Sequence, residues 1–355
     1  MADGGRRQRR AYIGSFTAAG GPGILTATVA PDSGALTVVS GTDHLADPSY
    51  LALSPDGDTL YAVSETAEGA VAAYRVSGDK PEPAGRPVPV GGDGPTHLSL
   101  YAGHVLIANY GSGTVTAVPV RADGALARAA SGVLRHTGSG PHAQRQQGPH
   151  AHQVRPDPSG RWAVSVDLGT DSVRVCTLAD GAPAVHREIA LRPGSGPRHL
   201  AFHPDGSHAY VVNELAPTVT VCHWDAADGV LKPLTEVPVL PGAPAGDAHP
   251  SGIAVSPDGR FVWTATRGED VLSVFVVEPD GLRLSATVPC GGHWPREITV
   301  AEGFLYAANE RSGDVTWFAL DPSTGIPRRT GSLAVPAASC VVFGPASWPR
   351  ATHSA

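Results

Sequence analysis

An arginine and a glutamate lie sixteen residues apart in "GPRHLAFHPDGSHAYVVNEL", at Arg198 and Glu214. A planar guanidinium binds carboxylate or phosphate through two parallel hydrogen bonds. An imidazole or carboxylate within reach can move protons on the bound group. Segments of the same type recur along the chain, most with a leading proline. The position after the leading residue reads Ser49, Thr96, His152, Arg198, Ser251, Arg296 and Ser339. Small hydroxyl residues suffice in four of these, so His152, Arg198 and Arg296 are departures that need another reason. A second position follows sixteen residues later in the full segments and fourteen in the two with shortened turns. It reads Glu65, Tyr110, Leu168, Glu214, Arg267, Glu310 and Phe16, and the residues before it, Asn213 among them, are nearly all polar.

The recurrence itself defines the elements that carry these residues. Copies begin at Pro48, Pro95, Ala151, Pro197, Pro250 and Pro295, and a fragment, "ASCVVFGP", begins at Ala338. Intervals of about 43 to 56 residues suit propeller blades. Each copy reads as four strands, the first two joined by a turn that is commonly P-D-G, where glycine takes the positive φ. The fragment supplies one inner strand, and "AYIGSFT", "GILTATVA" and "GALTVVS" at the other end of the chain supply its three partners. The expectation is an all-β, seven-bladed β-propeller spanning residues 11–346, its last blade closed by N-terminal strands pairing with the C-terminal strand, which removes exposed sheet edges. Residues 1–10 and 347–355 are expected to be tails.

Because the P-D-G turn lies at one end of each blade, the start of the first strand and the end of the second share the other end. Seven blades therefore bring both sets of residues to one mouth of the central channel, the default place for a binding site. The segment "RHTGSGPHAQRQQGPHAHQ" (135–153) is longer than its counterparts and leads into His152, so it is expected to overhang the same mouth. His150, Asn213, Glu65, Tyr110, Glu310 and Arg296 are expected to bind substrate there. Two structural alternatives stand beside this reading. Arg198 and Glu214 are also what a plain salt bridge between blades needs, although a buried pair gains little net stability. Arg296 next to Trp294 is also what a guanidinium stacked on an indole needs.

Composition narrows the class of partner. Net charge is −7, and outside "RRQRR" at residues 6–10 no basic face suggests nucleic acid. No apolar run approaches the roughly 20 residues of a membrane span, and no apolar segment of signal-peptide type follows the basic residues. Four cysteines without zinc-ligand spacing suit a reducing cytoplasm; a monomer or weak homodimer is expected. "GSGP" and "GGDGP" lack the following helix and lysine of phosphate loops. The histidines at 142, 150 and 152 have no carboxylate or thiol partner nearby in sequence, so no metal is expected.

The motifs "YIGSFT", "PSYLALSPDG", "ANYGSGTV", "GPHAHQ", "GPRHLAFHPDG", "YVVNEL" and "WPRE" resemble those of the propeller lactonases. That family includes bacterial 6-phosphogluconolactonases and fungal 3-carboxy-cis,cis-muconate cyclases. The resemblance implies an enzyme without a cofactor, acting on a small anionic lactone or carboxylate. It implies hydrolysis of a sugar-acid lactone or, alternatively, a cycloisomerase that forms or opens a lactone from an unsaturated acid. A non-enzymatic interaction scaffold is a further alternative. In the cyclase branch the proposed site holds a histidine, two arginines and a glutamate, which by motif fall on His152, Arg198, Arg267 and Glu214. His150 competes with His152 within "PHAH". Lactone opening needs a base for water and a cation for the oxyanion; His152 or Glu214 is the expected base, with the other orienting it.

Overall fold

The computed structural model describes residues 9–279 and 281–345. Among the described residues twenty-nine strands form seven antiparallel sheets arranged as the blades of a propeller, and the only helical element is a single turn at Thr17–Ala19. The closing blade pairs the C-terminal strand Ala338–Phe343 with Arg10–Ser15, then Ile24–Val29 and Leu36–Thr42, so the ring is sealed by the two ends of the chain. Of the expected tails, only Arg9 and Arg10 lie within the described residues. Arg10 already belongs to the first strand, and Arg9 donates from Nε to Gly344 O at 2.7 Å, because closure draws both chain ends into one sheet.

The strands grade outward from the channel. Second strands are buried almost throughout, as in His208–Asn213, where five of six residues are buried. Outermost strands such as Val230–Pro238 are mostly exposed. The apolar core is divided among clusters that each join two neighbouring blades; Trp162, Val164, Leu200 and Trp224, for example, seal the third blade against the fourth. The P-D-G turns close as the sequence implies, Gly206 with φ of 73° and Gly259 with φ of 75°, a region costly for residues with a Cβ. No helix among the described residues is long and apolar enough to cross a membrane.

Candidate active site

The mouth is built by a bulge repeated from blade to blade. Pro197 pairs with Asn213 and His199 with Val212, so Arg198 is the extra residue between them. His152 and Arg296 occupy the same place in their blades, as do Thr96 and Ser339. A bulge re-aims side chains at the end of a strand. Here it lets two successive residues of one strand reach the channel: Arg198 meets Glu214, and His199 meets Glu297.

The second set is seated by a repeated backbone bond. Glu214 N donates to Gly196 O, Tyr110 N to Gly94 O, Glu310 N to Trp294 O and Glu65 N to Asp47 O, all between 2.7 and 3.1 Å. Each side chain is thereby held beside the start of its blade's inner strand. The polar residue just before it has a different task. Asn213 Nδ2 donates to the hydroxyls of Thr218 and Thr220, both at 2.9 Å, and Asn109 makes the same bracket to Thr114 and Thr116. The amide nitrogen of Asn213, a residue expected to bind substrate, ties the second strand to the third where the backbone ladder ends, while its Oδ1 has no partner among the described residues.

Glu214 is the centre of the buried half of the mouth. Arg267 Nη2 lies 2.7 Å and Arg198 Nε 3.2 Å from its Oε2, while Arg145 Nη2 donates to Oε1 at 2.7 Å. Side-chain exposure is 4% for Glu214, 2% for Arg198 and 8% for Arg267, so these charges face one another with little water between. Burial alone would raise the Glu214 carboxyl, but Arg267, Arg198 and Arg145 outweigh it and hold the group well below the usual carboxylate range. The expectation that Glu214 acts as the base therefore meets a physical objection: three guanidiniums occupy and stabilise its anion. Arg198 Nε and Arg267 Nη2 are buried in ion-pair contact with Glu214, without an aligned hydrogen bond among the described residues.

Arg145 had no counterpart in the comparison of repeats. It belongs to the long segment before His152, which is anchored by the buried Gln146, whose Nε2 donates to Leu168 O at 2.8 Å and Asp171 Oδ1 at 2.7 Å. From there Arg145 reaches both Glu214 and the Tyr110 hydroxyl, the latter at 3.1 Å. The expected overhang thus delivers a fourth guanidinium. Only its presence in that loop hinted at it.

The other half of the mouth is more open and differently charged. Arg296 is shared by Glu65 at 3.1 Å and Glu310 at 3.3 Å, with exposures of 17 to 26%. Its guanidinium lies 4.7 Å over Phe16. The stacking partner anticipated for it, Trp294, instead carries Arg311 at 3.3 Å and Arg267 at 5.4 Å. Trp294 takes a φ of +64°, a strained conformation for a bulky residue, which points its ring away from its neighbour Arg296 and under Arg267. The guanidinium over Phe16 sits where two carboxylates compensate its charge.

His152 stands within electrostatic reach of both halves. It is 6% exposed, and burial first, then Arg198, His199, Arg296 and Arg267, push its imidazole well below its usual range, so it is neutral at physiological pH. Its Nδ1 has no hydrogen-bond partner among the described residues, whereas His150 has Nδ1 bonded to Tyr110 O at 2.8 Å and its ring stacked on Tyr110 at 4.4 Å. His150 is thereby committed to holding Tyr110, and His152 is the imidazole left free. No described hydrogen bond joins His152 to Glu214, so neither orients the other directly.

A deeper layer escaped the comparison because it lies one residue further along each first strand. That position reads Tyr50, His97, Gln153, His199, Gly252, Glu297 and Cys340. The rings of His199 and His152 are 5.1 Å apart, those of His97 and His199 5.6 Å, and those of Tyr50 and His97 4.2 Å. Aligning this position as well would have exposed the layer, since several copies place titratable groups where packing alone would favour small or apolar ones.

A seven-bladed ring with guanidiniums, carboxylates and a neutral imidazole at one mouth defines a class of small-molecule propeller enzymes. Residues 10–343 match the family described as "Lactonase, 7-bladed beta-propeller", and the chain belongs to that family. It is 34% identical over 341 residues to a 6-phosphogluconolactonase of Bacillus subtilis, covering 94% of this chain and 97% of the relative. Among solved structures it is similar to a Lactobacillus plantarum protein, with 30% identity, a TM-score of 0.89, and 95% and 99% of the two chains covered. It is also similar to the periplasmic gluconolactonase PpgL of Pseudomonas aeruginosa, with 29% identity, a TM-score of 0.87 and coverage of 95% and 99%.

Proposed function

We propose that this protein hydrolyses a sugar-acid lactone bearing an anionic group, of the 6-phosphogluconolactone type. The observation that carries the reading is the uneven charge of the mouth around His152. Three guanidiniums converge on the single carboxylate of Glu214, which leaves that half cationic. Two carboxylates converge on Arg296, which leaves that half rich in acceptors. A phosphate or carboxylate suits the first, and sugar hydroxyls donating to Glu65 and Glu310 suit the second. A muconate with several carboxylates fits the acceptor-rich half poorly, because like charges would meet without water.

In this reading neutral His152 takes a proton from water as its oxygen bonds to the lactone carbonyl carbon. The guanidinium of Arg198 or Arg267 meets the developing oxyanion. Glu214 acts as a positioning residue that gathers the arginines. The site is assembled within one chain, so a monomer suffices, and four free cysteines suit the cytoplasm. The exposed larger apolar residues, such as Val185 and Leu234, lie on outermost strands away from the mouth, which does not favour a scaffold using that face.

The test is acid release above the spontaneous rate with 6-phosphogluconolactone, gluconolactone and a carboxylated muconolactone. Turnover of the phosphorylated lactone, lost in Arg198→Gln, is expected. Turnover of the muconolactone alone would replace hydrolysis of sugar lactones with the cyclase reading, and no turnover of any would remove both.

A further inference from the structure

Lactone hydrolysis yields an acid, so one proton must leave the enzyme in every turnover at neutral pH. Water contributes two protons as its oxygen bonds to the carbonyl carbon. When the ring C–O bond breaks, one proton ends on the departing alkoxide, and the other is shed as the product ionises to a carboxylate. His152 is poorly suited to keep that proton, since Arg198, Arg296 and Arg267 surround it. The structure offers it a way out that does not pass through the occupied mouth.

Beneath His152 lies His199, buried with its ring 5.1 Å away. His199 Nδ1 is 3.1 Å from Glu297 Oε2, a carboxyl 10% exposed, and a longer 3.5 Å from Arg198 Nη1. Three imidazole nitrogens in this layer, His97 Nδ1, His152 Nδ1 and His199 Nε2, are buried without a partner among the described residues. Buried polar atoms of this kind are ordinarily bridged by water. Below them Glu297, His199, Tyr50, Gln153 and Arg155 line a cavity of about 280 Å³. Phe202 and Val255, the residues at the turn end of their strands, also line it, so it opens toward the face opposite the mouth.

We propose that His199 and Glu297 form a proton relay carrying the proton released in each turnover from His152 down the channel to the opposite face; the proposal rests on the lactonase reading above. His199 holds its proton on Nδ1, donated to Glu297. It accepts a proton at Nε2 from His152 across one bridging water and passes the Nδ1 proton to Glu297, which gives it to solvent in the cavity. The groups facing Glu297 are Arg198, Arg296, Arg155, His199, Tyr50 and Cys340. Burial raises its carboxyl to about 7, opposed by Arg198, the Ile298 N–H, Arg296 and Arg155. A carboxyl that gains and loses a proton near neutrality suits a relay. His199 and Glu297 lie one residue further along their strands than the mouth residues Arg198 and Arg296, so neither is assigned to the substrate-binding set.

The experiment compares wild type, Glu297→Gln, Glu297→Asp and His199→Gln in lactone hydrolysis across pH. The wild-type kcat is expected to rise through an ionisation near pH 7. Glu297→Gln is expected to lose that rise and about tenfold or more in kcat with KM nearly unchanged, and Glu297→Asp to restore part of it. His199→Gln carries the same expectation should Glu297→Gln not fold. Wild-type turnover with superimposable kcat profiles in all four proteins overturns the relay alone. Absence of wild-type turnover on any lactone overturns the lactonase reading and the relay with it. Independently of turnover, NMR of nitrogen-labelled histidine is expected to show the His199 proton fixed on Nδ1 in wild type and not in Glu297→Leu, which removes the acceptor; the same tautomer in both overturns the relay.

Discussion

Replacing Glu214 by glutamine tests the electrostatic heart of the mouth. The change keeps the shape of the side chain and removes one negative charge from among three guanidiniums. Arg198 and Arg267 are 2% and 8% exposed, so their charges are left facing each other without water to screen them. Arg145, at 35%, is screened and adds little. Removing one partner of a buried pair costs about 3 to 5 kcal/mol. For 355 residues the usual unfolding entropy per residue converts this into a fall in Tm of about 4 to 7 °C. The pH dependence supplies a second signature. Glu214 has a depressed carboxyl in the folded state, so its stabilisation is present above the ordinary carboxylate range and is lost as pH falls through the folded value. The gap between wild type and Glu214→Gln is thus full above about pH 5 and narrows as pH falls below the unfolded carboxyl's value near 4.5. Calorimetry of both proteins across this range is the assay. A variant that melts with wild type at neutral pH, or a gap that widens toward acid, would refute the view that the three arginines are held by this carboxylate.

Other consequences follow from individual contacts. His152→Ala is expected to lose about two to four orders of magnitude in kcat while its melting temperature stays close to wild type, measured by lactone hydrolysis and calorimetry. Arg145→Ala is expected to raise KM about tenfold with little change in stability, since it adds one charge-assisted contact at the mouth and is partly solvated. Asn213→Ala is expected to destabilise the fold by about 1 to 3 kcal/mol in denaturant titration, because the Thr218 and Thr220 hydroxyls lose their bracket, and to leave KM near wild type. Burial pushes the thiols of Cys176, Cys222, Cys290 and Cys340 up to about 12, so a thiol-reactive dye is expected to label none in the native protein and all four on unfolding.

Fold and site were legible in the chain to different depths. Repetition identified the blades, and the mismatch between one C-terminal strand and three N-terminal ones identified the closure, because strand periodicity and turn chemistry are local properties. Comparing the copies also located Arg198, Glu214, Arg267, Arg296 and His152 at one end of the disc, since every copy must run in the same direction. The same comparison could not assign their tasks. It grouped Asn213 with the binding residues and could not show that its amide nitrogen also brackets Thr218 and Thr220 within its own blade. It paired Arg296 with Trp294 by adjacency, whereas the positive φ at Trp294 sends the two side chains to different partners. Arg145 meets Glu214 across sixty-nine residues, and no periodicity announces such a contact. Sequence alone determines the number of blades and which end of each carries polar chemistry, because both are set by short-range patterning. Only the closed ring decides which charges share a carboxylate, which imidazole stays neutral and which carboxyl is buried deeply enough to titrate near neutrality. Those properties depend on burial and on distances between strands that are neighbours only in space.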